Sequence, residues 1–246
     1  MPEPELSVII PCYNEENNVP ELASRCAAAV KDRQDIEFVF VDNGSTDSTG
    51  AVLEAILRAG RFPARKVSVP VNQGYGWGIL SGLRSAGGKV LAWTHADLQT
   101  DPADVVKAWE VYRSRPAGER VLVKGTRTHR RFMEKLLSLG MQITASLALN
   151  CRVSEINAQP KLFPREFAGS WDNPPHDFSL DLYVLFMARK QGYRIVSIPV
   201  DFSVRRRGEA KGGSGSSWPV RLKLIRRSFC YIFELRARLT APQKEP

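Results

Sequence analysis

The chain has no closely spaced cysteine pair, no internal repeat and no long apolar run. Its four cysteines, Cys12, Cys26, Cys151 and Cys230, are far apart in sequence. That excludes a zinc ribbon, argues against a disulfide scaffold and favours a reduced, cytoplasmic setting. The longest uncharged stretches, 67–83 and 136–151, are broken by Gly, Pro, Asn, Gln or Ser. Neither supplies the roughly 18–20 apolar residues that a membrane span needs. The opening Met1-Pro2-Glu3-Pro4-Glu5 carries no basic stretch of the kind that begins a secretory leader. An aromatic-rich nucleic-acid recognition motif is also missing, so no nucleic-acid partner is expected. The expectation is a soluble or surface-bound protein.

What remains is ordinary globular composition on 246 residues, with 43% hydrophobic and 25% charged side chains. That suffices for one large α/β domain or two small ones with a sizeable core. Thirty-five basic residues against 26 acidic ones give a net charge of +9, unevenly spread. Lys/Arg side chains crowd residues 203–227, where Glu209 is the lone acid, and residues 124–135, where Glu134 is. Such clusters attract phosphate groups on lipids or nucleotides.

Apolar runs at 6–11, 38–41, 67–69 and 90–93 read as buried strands, and helical spacing is clear at 19–30, 52–57 and 79–86. Thr46 or Asp47 is placed to cap the second helix, which Gly60 stops. Strands alternating with helices imply βαβ units and a mostly parallel sheet, with ligands beyond the carboxyl ends of the strands. That locates the polar clusters 11–15, 42–47, 72–76 and 95–101 along one edge. Further on, 121–123 and 195–200 read as strands and 133–149 and 180–190 as helices. Residues 208–217 read as a Gly/Ser loop. Residues 218–239 alternate apolar and basic residues at helical spacing, with Trp218, Leu222, Ile225, Phe229 and Ile232 near one face. Such a helix fits a membrane interface with anionic lipid, or docks on the core. The domain boundary is drawn there, as 1–217 and 218–246.

The densest chemistry is Thr94-His95-Ala96-Asp97-Leu98-Gln99-Thr100-Asp101-Pro102. A strand ending in carboxylates offers oxygen ligands to a hard cation, which can bridge them to a diphosphate. Asp97 alone suffices for such an ion, with His95 or Asp101 nearby. Asp101 before Pro102 more simply caps the next helix.

These residues carry a resemblance. Ser7-Val8-Ile9-Ile10-Pro11-Cys12-Tyr13-Asn14-Glu15-Glu16, Val41-Asp42-Asn43-Gly44-Ser45-Thr46-Asp47, Asn72-Gln73-Gly74-Tyr75-Gly76 and Ala96-Asp97-Leu98-Gln99 follow in order. The chain resembles a family 2 glycosyltransferase, and within that family the dolichyl- and polyprenyl-phosphate sugar synthases. Gly125-Thr126-Arg127 with Arg130, Arg131 and Ser138 is similar to the stretch those synthases use against lipid phosphate. Ile198-Pro199-Val200-Asp201-Phe202 with Arg205, Gly208, Glu209 and Lys211 is similar to their C-terminal basic segment.

The resemblance implies a GT-A fold, a UDP- or GDP-linked sugar donor and Mg²⁺ or Mn²⁺. It assigns Pro11, Tyr13, Asn14, Glu15, Asp42 and Asn43 to the nucleotide pocket, with Asp42 facing the base. Gly74 lies close to the donor, and Ala96, Asp97, Gln99 and Lys211 serve the donor's pyrophosphate side. His95, Asp97 and Gln99 are the metal candidates. Arg127, Arg131 and Arg205 are the residues for an acceptor phosphate, whose rigid recognition an arginine fork supplies. The implied seat is the cytoplasmic face of a membrane.

Three departures from the family pattern stand out. His95 occupies the first position of Asp-X-Asp, and imidazole suits Mn²⁺ better than Mg²⁺. The acceptor motif reads Asn157-Ala158-Gln159-Pro160-Lys161-Leu162-Phe163, where Lys161 brings a cation the motif does not carry. Tyr183 stands near an often acidic position, with Asp181 two residues earlier. An inverting transfer to a polyprenyl phosphate, whose second pKa is about 6, needs charge neutralisation more than a base. A glycan or glycolipid hydroxyl needs a carboxylate base, for which Asp177 and Asp181 are the candidates. Asp181 is otherwise a solvated helix residue. A third reading is a basic nucleotide- or RNA-binding module without catalysis.

Overall fold

The computed structural model describes residues 3–31, 33–128, 132–202 and 218–240. Arg130, Arg131, Arg205, Lys211 and the expected loop at 208–217 lie outside the described residues.

In chain order the elements are β1 (Leu6–Cys12), α1 (Val19–Val30), β2 (Ile36–Asn43), α2 (Thr49–Arg58), β3 (Ala64–Val69), α3 (Tyr75–Ser85) and β4 (Val90–Trp93). They continue with α4 (Ala103–Arg113), β5 (Val121–Arg127), α5 (Phe132–Ala148), β6 (Lys161–Pro164), α6 (Arg165–Gly169), α7 (Leu180–Lys190), β7 (Arg194–Val200) and α8 (Trp218–Thr240). The strands form one seven-stranded sheet in the order β3-β2-β1-β4-β6-β5-β7. All neighbours are parallel except β6, which runs antiparallel to β4 and β5.

The strands read as unbroken apolar runs because helices cover both faces. On β1, Ile9 faces the layer of α3, α7 and α8, while Leu6, Val8, Ile10 and Cys12 face α1 and α4. On β2, Val39 and Val41 take the first layer, and Ile36, Phe38 and Phe40 the second. This two-residue alternation fixes the register that brings the carboxyl ends of β1, β2 and β4 together.

Two differences from the sequence expectation matter for the site. First, α3 starts at Tyr75, within the glycine-rich stretch, and not at residue 79. These glycines serve close packing. A Cβ on Gly76 would lie 2.6 Å from the Pro175 carbonyl oxygen, and one on Gly74, at φ +112°, would lie 2.5 Å from that of His176. The helix start is thereby pressed onto the 175–177 backbone, and the Trp77 N–H donates to the His176 carbonyl at 3.0 Å.

Second, α8 is partly a core element. Tyr231, Ile232 and Leu235 are buried in the same cluster as α7, with Phe229 packed against it. Leu222, on the same expected apolar face, is exposed. The membrane-facing role expected for the whole apolar face of α8 is therefore limited, because its C-terminal half is spent on the protein. All four cysteines are free.

Candidate active site

The loops beyond β1, β2 and β3 knit together through short hydrogen bonds of amides, hydroxyls and carboxylates. Asn14, in the left-handed region at φ 53°, donates its backbone N–H to Ser45 Oγ at 3.1 Å and accepts the Thr46 N–H on Oδ1 at 2.8 Å. The Glu15 N–H goes to Thr49 Oγ1 at 2.8 Å, and the Glu15 carboxylate accepts Asn18 Nδ2 at 2.6 Å. Asp42 closes its own turn by accepting the Ser45 N–H at 3.1 Å. Asp47 accepts the Thr49 N–H at 3.0 Å just before α2, but the N-cap position is Ser48, with no side-chain cap bond, so neither Thr46 nor Asp47 caps the helix as expected. Pro11 is the last residue but one of β1 and Tyr13 follows the strand, both half-buried at this rim.

Asn43 joins this rim to the glycine loop, donating Nδ2 to the Gly74 carbonyl at 3.0 Å. Its Oδ1 is buried without a hydrogen-bond partner among the described residues. A buried acceptor left open at a rim suits a ligand donor or a water. Tyr75 follows, its ring stacked on Phe178 at 4.6 Å and 11° and lying 5.8 Å from the His95 ring. The polar clusters expected along one sheet edge thus do meet.

Beyond β4, Asp97 accepts the Gln99 N–H at 3.1 Å, a tight turn that holds its carboxylate at the edge. Ala96 is buried beneath it, and Gln99 is half-buried. Burial keeps the His95 imidazole below its ordinary pKa, with Asp97 pulling the other way, so at neutral pH a ring nitrogen retains its lone pair. Asp101 accepts the Ala103 N–H at 2.8 Å and pairs with Arg25 at 3.4 Å, which makes it a helix-start residue. Among the described residues no three His, Cys, Asp or Glu side chains cluster to hold a metal. One carboxylate and a neutral imidazole fit a cation that takes its other ligands from a diphosphate and water.

The side formed by β5, β6 and α7 is built from buried charge. Lys161 on β6 and Asp181 on α7 form an ion pair at 2.6 Å, with side chains 0% and 1% exposed. Asp181 is therefore not a solvated helix residue. The two departures noted in the sequence, a stray cation and a displaced acid, compensate one another. Gln159 Nε2 donates to the same Asp181 oxygen at 3.0 Å and to Tyr75 Oη at 3.1 Å. Arg127 pairs with Glu155 at 3.0 Å and lies over Phe202 at 5.4 Å. Lys124, opposite Lys161 in the β5/β6 register, is pushed down to about 8 by burial and by Lys161. Asp177, the other base candidate, accepts Ser179 N–H at 2.8 Å and Arg227 Nε at 2.6 Å. Burial alone would raise its carboxyl, but those bonds hold it below the ordinary range.

Sequence reasoning gave no role to Tyr75, Gln159 or Phe178. Tyr75 stood inside a quoted motif, and the paired departures at 161 and 181 were the available signal. Neither pointed to a partner.

Comparison with known proteins fits this geometry. Over 153 residues the chain is 34% identical to the undecaprenyl-phosphate 4-deoxy-4-formamido-L-arabinose transferase of Pseudomonas fluorescens, covering 59% of this chain and 44% of that protein. The dolichol-phosphate mannosyltransferase of Pyrococcus furiosus is 27% identical, covering 84% of this chain and 59% of its own length. The chain thus spans about half the length of these relatives. In fold it matches glucosyl-3-phosphoglycerate synthase from Mycobacterium tuberculosis bound to UDP, with a TM-score of 0.74 at 19% identity over 98% of this chain and 82% of that one. Other crystals of that synthase hold Mn²⁺ or Mg²⁺ with UDP. The fold is GT-A, and since the glycosyl transferase family 2 model matches residues 7–168, the chain belongs to that family.

Proposed function

We propose that this chain transfers a sugar, with inversion, from a UDP- or GDP-linked donor to a polyprenyl phosphate. The observation that carries the acceptor class is the engagement of both candidate bases. Asp181 is buried against Lys161 and Gln159, and Asp177 is held by Arg227. A hydroxyl acceptor needs a carboxylate to take its proton. A phosphate monoester arrives already anionic, with a second pKa of about 6.

In this reading the Asn14–Asp42–Asn43–Gly74 rim binds the nucleotide, and Asp97 with His95 would hold Mg²⁺ or Mn²⁺. That ion, when bound, neutralises charge on the departing diphosphate. Gln99 lines the same turn. Arg127, with Arg131, Arg205 and Lys211 outside the described residues, supplies positive charge to the two phosphates. The relatives named for undecaprenyl- and dolichol-phosphate substrates support the same acceptor class.

A peripheral seat on the cytoplasmic face of a membrane fits as well. Among the described residues no helix is long and apolar enough to cross a bilayer. On α5, Leu139, Ile143 and Leu147 are 51%, 51% and 77% exposed, and their four-residue spacing lines them along one helix face. Helix α8, packed on α5, exposes Lys223 and Arg226. An apolar stripe beside basic side chains suits anionic lipid.

The test offers UDP- and GDP-sugars with Mn²⁺ to the full chain, against a polyprenyl phosphate and the matching polyprenol in phosphatidylglycerol or phosphatidylcholine vesicles. Transfer to the phosphate alone, faster on the anionic vesicles, is expected. Transfer to the polyprenol or to a glycan hydroxyl would overturn the acceptor class. Equal rates on both vesicles would remove the electrostatic part of the membrane seat.

A further inference from the structure

We infer that Tyr75 touches the donor directly, and that Lys161, Asp181 and Gln159 are positioning residues that turn its hydroxyl proton toward an oxygen of the sugar diphosphate. The inference rests on the transferase reading above and adds a residue to it.

The argument runs through donors and acceptors. An ionised carboxylate only accepts, and an ammonium only donates. Asp181 Oδ1 takes Lys161 Nζ at 2.6 Å, both groups being buried, and takes Gln159 at 3.0 Å. The carboxamide must therefore present its nitrogen to Asp181, since the flipped amide would set its oxygen against the carboxylate. That nitrogen also lies 3.1 Å from Tyr75 Oη. Its second hydrogen goes to the phenol, so the phenol oxygen is an acceptor there. With that donor facing the Tyr75 oxygen, the phenol proton leaves in another direction. Among the described residues no hydrogen bond takes it.

The ring's position says what it meets. Its backbone neighbour Gly74 is tied to Asn43 on the nucleotide rim, and its ring lies 5.8 Å from His95 beside Asp97. Phe178 covers one face at 4.6 Å. A donor reaching from Asn43 to Asp97 therefore passes Tyr75, and its diphosphate and sugar oxygens are the acceptors on that path. A charge relay fixed by a buried ion pair also gives Lys161 and Asp181 a reason to be together that needs no proton transfer.

The experiment is a double-mutant cycle on the full chain, using UDP-glucose and GDP-mannose with Mn²⁺, polyprenyl phosphate as acceptor, and calorimetry with the same probes and with UDP and GDP. Tyr75→Phe removes one oxygen. It should lower kcat or donor affinity about 10- to 100-fold, leaving the KM for the lipid phosphate unchanged and lowering the melting temperature slightly, since the buried Gln159 N–H loses its acceptor. Loss of UDP or GDP affinity by the same factor assigns the contact to the diphosphate. Loss with the sugar nucleotide alone assigns it to the sugar. The paired variant Lys161→Met/Asp181→Asn, which leaves no lone buried charge, should show the same loss, with nothing further when Tyr75→Phe is added. Wild-type affinity and kcat in Tyr75→Phe overturn the contact. Factors that multiply overturn the relay and return Asp181 to an independent role. A wild type that binds donor without transferring it, while Tyr75→Phe weakens binding, overturns the transferase reading and upholds the contact. Wild-type failure to bind either probe overturns both.

Discussion

The two sides of the sheet edge are made differently. On the proposed donor side, Asn14, Ser45, Thr46, Asn43 and Gly74 meet through hydrogen bonds between neutral groups in loops that follow neighbouring parallel strands. On the proposed acceptor side, Lys124, Lys161 and Asp181 are nearly or wholly buried, and Arg127 pairs with Glu155 nearby. Neutral turn chemistry is inexpensive and stays half-wet. Buried charge is costly to desolvate, and it persists only when its partner is supplied from another element. The donor side is thus a rim built from local turns. The acceptor side is a rigid wall whose parts depend on one another.

The sharpest way to break that contrast is to remove one charge from the wall. Lys161→Ala leaves Asp181 buried and unpaired, and it should cost about 3–5 kcal/mol of stability, read as a lower denaturant midpoint. Asn14→Ala on the rim should cost far less in the same titration, since a hydrogen bond nets about 0.5–1.5 kcal/mol. Equal losses would erase the distinction. Asp97→Asn sharpens the comparison where the two sides meet. The amide oxygen can still accept the Gln99 N–H, so the turn survives while the negative charge is lost. A kcat lower by about a thousandfold, worth roughly 4 kcal/mol, with an unchanged melting temperature, is expected. Retained transfer would remove Asp97 from the cation site.

The donor side was largely legible in the sequence because its signals are local. Helix α1 spans Val19–Val30 and strand β4 spans Val90–Trp93, as their periodicity and flanking turns predict. The exception is α3, whose Gly76 and Gly78 read as loop. These helical positions are glycine because the 175–177 backbone and the Asn43 side chain occupy the space a Cβ would need, and that contact is invisible locally. The acceptor side was less legible for the same reason. Strand β6 is four residues between Pro160 and a terminal Pro164, begun by a lysine, and nothing in that run announces a strand. Its partner Asp181 lies 20 positions away. The chain's spacing placed Asp181 on a helix, and α7 does span Leu180–Lys190. Only the tertiary structure turns that residue inward. Helix α8 shows the remaining ambiguity. Its bounds were close, but a face with Leu222, Ile225, Phe229 and Ile232 fits lipid or protein equally, and packing divides it between exposed Leu222 and buried Ile232.

Lys124 offers the smallest and cleanest test of the wall. Buried beside Lys161, it has a pKa of about 8 in the folded chain, against 10.5 for a free lysine. Between those values the unfolded chain binds more protons than the folded one, so this group makes stability rise with pH, by up to about 1.4 kcal/mol per unit. Below about pH 8 both states are protonated and its unfavourable contribution is constant; above about 10.5 both are neutral and the penalty is gone. Other groups titrate in the same window, since burial raises Cys12, Cys26 and Tyr75, and those make stability fall as pH rises. The difference between wild type and Lys124→Met cancels them. Denaturant titrations at pH 7.5, 8.5 and 9.5 should therefore show wild-type stability gaining on the variant's with each step. A flat difference would mean that Lys124 reaches water in the folded chain and that the wall is less dry than its neighbours make it. A falling one would give its ammonium an anionic partner that outweighs its burial.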